Sequence, residues 1–212
     1  MPHSTLKTGK SEISHSMLKS GSFEGKEIVL SLSIQIDDGR SSMTEQSVLS
    51  VDGEAIFHKS LKKVGNDWQA IVQSGRDLLD LSWTSRPDGD SVHVSGKQSI
   101  GGGEAEDFDE QLSQHGFEQT RREANSAANS DRSEDSEQER LERALSAFAR
   151  ELKKDRFKTL GDPQQCTIEC TQEAALCAVA CAALSGAAFP ICAKGCVVYQ
   201  TYCIAKCASE IG

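Results

Sequence analysis

The sequence predicts an α+β chain of two modules: an N-terminal antiparallel β meander, as a small barrel or sandwich, then a disulfide-stapled antiparallel α-hairpin. Three observations predict it. Over residues 26–100, apolar side chains recur at every second position between turn signals. An acidic, polar stretch then breaks that pattern. Finally, all eight cysteines fall between Cys166 and Cys207, at regular intervals.

Residues 1–25 are polar and rich in Ser and Lys, a composition expected to remain disordered. They show no apolar h-region and no twin-arginine, so no standard secretory signal is expected. In "EIVLSLSIQI", Ile28, Leu30, Leu32, Ile34 and Ile36 alternate with Ser31, Ser33 and Gln35, the period of a half-buried strand. "DDGR" follows as a hairpin turn, because Asp-Gly supplies the positive φ of tight hairpins. Further strands are expected around Val48–Val51, Ala55–His58, Trp68–Val72, Leu78–Trp83 and Val92–Val94, separated by "VDGE", "GND", "SGRD" and "RPDGD". Turns spaced by about ten residues make about six strands of an antiparallel β-domain.

The character changes at "GGGEAEDFDE". Residues 101–138 are acidic and polar, with Phe108, Leu112 and Phe117 as the large apolar side chains, and are expected to form a disordered linker. "EQERLERALSAFARELKKDRF" then predicts an amphipathic helix over 139–158: Leu141, Leu145, Phe148 and Leu152 share one face. Lys153 and Lys154 close it in the direction its dipole favours.

Residues 162–212 hold the cysteines, spaced C-x3-C-x6-C-x3-C twice with ten residues between. Within each half, helical geometry places the four sulfurs at about 0°, 40°, 20° and 60°, a single narrow stripe. Asp162-Pro163 and Pro190 suit helix starts, the Gly in "LSGAAF" suits a stop, and "EAALCAVACAAL" favours helix. The pattern is also mirror-symmetric. In an antiparallel hairpin, positions whose numbers share one total lie side by side, which pairs Cys166–Cys207, Cys170–Cys203, Cys177–Cys196 and Cys181–Cys192. Four such rungs would stabilise a unit too small for a self-sufficient core.

Two other readings of the stripe stand beside it. Free cysteines serve as small buried apolar residues. Facing thiolates at i and i+4 also suit a soft ion, copper or zinc, although the C-x2-C knuckle of most structural zinc sites is absent and no histidine lies near. With the stripe oxidised, no metal and no cofactor is expected. With sulfur in the seam, the hairpin's other faces carry Ile168, Leu176, Val179 and Leu184 on the first helix. The second adds Val197, Val198, Tyr199, Tyr202 and Ile204. Such residues either dock on the β-domain or contact a membrane or partner protein.

"CTIEC", the repeated C-x3-C pairs and "AAFPIC" resemble the mature part of halocin-like, cysteine-rich bacteriocins. The nested inner pattern is similar to that of the plant α-hairpinin defence peptides. The resemblance implies a precursor: a secreted, disulfide-stabilised antimicrobial peptide is cut from the C-terminus, the β-domain being a propeptide that shields it, confers immunity or engages an exporter. Its implied partners are a processing protease, an exporter and a target-cell membrane or membrane protein. Cleavage is expected between Lys154 and Cys166, where Arg156 and Lys158 lie. Alternatives from other classes are a thiol-lined copper or zinc binding protein and a secreted protein–protein interaction module.

The net charge of -9 argues against nucleic acid as a partner, since phosphate binding needs clustered Lys and Arg. An enzyme is not expected. His3, His15, His58, His93 and His115 are scattered singly, and no nucleophile elbow, phosphate loop or Cys–His pair is visible.

Overall fold

The computed structural model describes residues 12–37, 41–113, 136–154, 163–182, 184 and 188–209. Among them, eight strands form one antiparallel sheet: β1 (Glu12–Phe23), β2 (Lys26–Asp37), β3 (Ser42–Val51), β4 (Glu54–Val64), β5 (Asp67–Ser74), β6 (Asp77–Asp88), β7 (Ser91–Ile100) and β8 (Glu106–Leu112). Their order in space is their order in sequence, so every strand pairs with its chain neighbours. Three helices follow: α1 (Ser136–Lys154), α2 (Pro163–Cys181) and α3 (Ala188–Ser209).

Alternation fixes the layering. Ile28, Leu30, Leu32, Ile34 and Ile36 point to one face with Leu49, Phe57, Leu61, Trp68, Leu79, Leu81, Trp83 and Val94, and all are buried. Their neighbours Ser31, Ser33, Gln46, Gln69 and Ser82 are exposed on the other. The helices cover the apolar face, α3 against β5 to β8 and α1 against β1, β2 and α2. The second layer is therefore helical. The two-module α+β organisation, an antiparallel meander followed by disulfide-joined helices, is the one the sequence predicts. That helices cover the meander is the difference in detail, because alternation is the same whether a sheet closes on itself, meets another sheet or takes helices as its cover.

Two further differences concern segments expected to be disordered. Residues 12–23 form β1, paired along its whole length with β2 from Glu12↔Asp37 to Phe23↔Lys26. Residues 106–112, expected in the linker, form β8, whose Phe108 and Leu112 turn inward while Asp107 and Asp109 turn out. Both are edge strands, and polar or charged edges resist pairing with other chains. Those two account for the count of eight where about six were expected. Of the ranges 1–25 and 101–138 thought disordered, residues 1–11 and 114–135 lie outside the described residues.

Two hairpins show how sequence sets the turns. At Asp52-Gly53 both residues take positive φ, 53° and 82°, the conformation that matches strand twist. At the β2–β3 connection, Asp37 accepts hydrogen bonds from the Ser41 hydroxyl at 2.7 Å and the Ser42 amide at 3.1 Å. The Ser41 bond above all holds its carboxyl below the usual range.

α1 buries Ala144, Leu145 and Phe148, the last meeting Phe23 edge-to-face at 5.7 Å. Arg140 donates to the Glu24 carbonyl at 2.7 Å, tying α1 to the β1–β2 turn. α3 starts at Ala188, so Pro190 sits in its first turn, where no intrahelical donor is needed.

Opposite Trp83, β7 carries Gly96. A Cβ there would lie 2.1 Å from the Ser82 carbonyl oxygen and 2.6 Å from the Trp83 Cα. Both obstacles are backbone and cannot rotate away. Gly96→Ala is therefore expected to destabilise the chain by about 1–3 kcal/mol, read as a lower urea midpoint at unchanged slope; an unchanged midpoint would contradict this packing.

Candidate functional site

α2 and α3 run antiparallel with their cysteine stripes face to face. Four disulfides join them: Cys166–Cys207, Cys170–Cys203, Cys177–Cys196 and Cys181–Cys192, with Cα atoms 5.6–5.8 Å apart. They are nested, closing separations of 41, 33, 19 and 11 residues, and no cysteine is free. Taken singly, the outermost bridge restricts the unfolded chain by about 4 kcal/mol and the innermost by about 3. Every bridge begins and ends within the hairpin; none reaches the sheet. Four disulfides fit an oxidising compartment.

The hairpin's apolar residues lie largely under cover. Ile168, Val179, Val197 and Ile204 are buried, while Leu176, Leu184, Val198, Tyr199 and Tyr202 are half-buried. In the intact chain this set belongs mostly to the common core with the sheet and α1. Tyr199 also donates to Glu173 at 2.7 Å, bridging the two helices between the inner and outer pairs of disulfides.

At the centre of the junction sits a polar cluster. Glu45 and Lys59 are on the inner face of β3 and β4, and Lys59 Nζ donates to Glu45 Oε1 at 2.8 Å. Gln200 of α3 closes the group: its Oε1 accepts from Lys59 at 2.6 Å, and its Nε2 donates to Glu45 Oε2 at 2.6 Å. The same Nε2 reaches Thr171 Oγ1 of α2 at 3.2 Å, and Ser47 donates to Glu45 at 2.8 Å. All five side chains are buried, Lys59 at 1% exposure. Taking a charge pair out of water costs several kcal/mol, which is offset only when geometry and additional hydrogen bonds are good. Gln200 supplies those bonds: its carbonyl oxygen faces the ammonium and its amide faces the carboxylate. The sheet alone leaves this pair incomplete.

At the rim, Lys194 pairs with Glu110 at 2.5 Å and lies 4.4 Å from the Phe108 ring, and Lys206 reaches Asp90 at 3.4 Å. Ser74 donates to the Ala182 carbonyl at 3.4 Å. Elsewhere on the sheet, burial lowers the pKa of Lys63, whose ammonium is 5.6 Å from the Trp68 ring, and the Asp37 charge partly opposes this.

The histidines do not converge among the described residues. His58 and His93 are on the outer face, His93 in contact with Asp109 at 2.8 Å, and His15 is on β1; His3 and His115 lie outside the described residues. So do residues 155–162 of the expected cleavage segment, Arg156 and Lys158 among them. Among the described residues, no helix is long and apolar enough to cross a membrane.

Sequence reasoning by type and motif passes over Glu45, Lys59 and Gln200. A signal exists for the first two: Glu45 falls on the inward parity with Met43 and Leu49, and Lys59 on that of Phe57 and Leu61. A charge at inward parity on each of two adjacent strands marks a buried pair. Gln200 carries no comparable mark, because helix α3 is apolar on most sides.

No protein-family model, curated protein or solved structure matches the chain.

Two outcomes are expected. Lys59→Met leaves Glu45 buried without its cation and should cost about 3–5 kcal/mol, whereas Glu45→Leu with Lys59→Met should recover most of that loss; chemical denaturation of both variants measures it. Non-reducing proteolytic mapping should return the four nested bridges, and intact mass should rise by eight hydrogens on reduction, two for each bridge.

Proposed function

We propose that the chain is the precursor of a secreted, disulfide-stabilised antimicrobial peptide of the bacteriocin type, carried as the C-terminal hairpin and covered by the sheet until release. One observation carries this reading: every covalent cross-link is internal to the hairpin, while every contact between hairpin and sheet is non-covalent. A cut anywhere between Lys154 and Cys166 therefore yields a unit already closed upon itself.

The consequences of release follow from burial. Ile168, Val179, Val197 and Ile204 lose their cover, and an apolar surface on so small a body seeks a membrane or a membrane protein. The sheet keeps that surface from water, and from the producing cell's own membrane, while the chain is whole. Gln200 leaves the Glu45–Lys59 pair, which then rehydrates, so separation sets favourable solvation of the charges against loss of their hydrogen bonds. A processing protease and an exporter complete the scheme. The protein acts on a target cell and catalyses nothing.

The test uses culture medium and vesicles. A fragment containing Cys166 to Cys207, begun after Lys154, should be recovered from the medium with four bridges intact. It should release dye from lipid vesicles and inhibit growth of competing cells, whereas the uncut chain should do neither. Recovery of the uncut chain alone, or equal activity of the two forms, would exclude the precursor reading.

A further inference from the structure

The eight sulfurs are not evenly distributed along the seam. They gather into two quartets, Cys166, Cys170, Cys203 and Cys207 at the open end and Cys177, Cys181, Cys192 and Cys196 toward the connection. Within the first, Cys170 and Cys207 belong to different bridges, yet their sulfurs are 3.5 Å apart. Within the second, Cys181 and Cys196 are 3.3 Å apart in the same way. Three sulfurs of each quartet, Cys166, Cys170 and Cys207, or Cys177, Cys181 and Cys196, lie within 4.8 Å of one another. Cys177 follows Cys170 by seven positions, about 10 Å along the helix, with the Glu173–Tyr199 hydrogen bond between.

We propose that the reduced, uncut chain binds two soft d10 cations of the zinc class, one in each cysteine quartet. A tetrahedral zinc with thiolates at about 2.3 Å needs sulfurs about 3.8 Å apart, and the near sulfurs of neighbouring bridges, at 3.5 and 3.3 Å, need to part only slightly to reach that value. Each quartet draws an i, i+4 pair from each helix, so four donors approach one point from two sides. The helices need no bridge to stay in register, because the sheet holds them: Val179 and Val197 are buried in the shared core, and Gln200 joins Thr171 of α2 to Glu45 and Lys59. Thus the cover that shields the oxidised hairpin also keeps the reduced thiols facing each other.

The chemistry balances simply. A dithiol reductant delivers two electrons and two protons to each bridge and becomes a disulfide itself, leaving eight thiols. Each divalent cation then takes four thiolates and displaces four protons to solvent, so binding weakens as pH falls. The bridged and metal-loaded forms exclude one another, since the same sulfurs serve both. The inference stands whether or not the chain is a precursor.

The experiment uses the full chain, reduced with a phosphine, freed of oxygen and titrated with zinc, or with cadmium for its thiolate absorption, against a competing chelator. Native mass and absorption should give two ions per chain, with the eight thiols protected from alkylation. A variant with Cys166, Cys170, Cys203 and Cys207 all changed to Ser should retain one ion. A variant with Cys166, Cys170, Cys177 and Cys181 all changed to Ser keeps as many thiols but breaks both quartets, and should retain none. Near-ultraviolet dichroism of the stacked Trp68–Trp83 pair reports whether the sheet is intact in each. Fewer than two ions on the full chain, or equal binding by the two variants, would overturn the proposal.

Discussion

The junction between sheet and helices is organised around one charge pair that neither layer completes alone. Glu45 and Lys59 stand on a face that is mostly apolar, and an ion pair there tolerates few positions for its partners. Gln200 meets both at 2.6 Å, using its acceptor on the cation and its donor on the anion. Apolar contacts are non-directional and allow a helix to slide or rotate at modest cost. Hydrogen bonds of this kind do not. The cluster therefore sets where α3 lies on the sheet, and through Thr171 where α2 lies beside it.

Two kinds of cohesion divide the molecule. Within the hairpin, sulfur bridges act on a short segment rich in Ala, whose small side chains let the helices approach closely. Between hairpin and sheet, cohesion is hydrophobic burial with a polar centre and a rim of lysine–carboxylate pairs at Glu110 and Asp90. The first kind survives a backbone cut before Cys166. The second depends on the segments remaining together, and rim pairs in particular weaken with salt. This division, more than any single residue, supports reading the hairpin as cargo and the sheet as its cover.

Much of this was legible in the sequence, for definite reasons. β2 is plain because one face is wholly buried, so Ile28, Leu30, Leu32, Ile34 and Ile36 recur at every second position, with Val29 alone breaking the polar outer parity. The cysteine offsets are plain because helical geometry converts them directly into angles. β1 was not legible: its inward positions, Ile13, His15, Met17, Lys19 and Gly21, mix polar with apolar, since an edge strand is only partly covered. β8 was hidden for a similar reason, with Glu110 inward between Phe108 and Leu112 to meet Lys194. The form of the cover was beyond sequence patterning, because an alternating strand records that something is packed on it without recording what. Gln200 was illegible for the complementary reason, since its charged partners Lys59 and Glu45 lie 141 and 155 residues away.

A sheet in which each strand pairs only with the strand before and the strand after needs nothing from later in the chain to find its register. Such local pairing favours rapid, sequential growth. During synthesis the amino-terminal part emerges first, so β1 to β8 can assemble while the hairpin is still in the ribosome. The first thiol would then meet an already paired sheet rather than seven unordered competitors alone. Vectorial birth, set by nothing more than the order of segments, narrows the combinatorial problem of joining eight sulfurs.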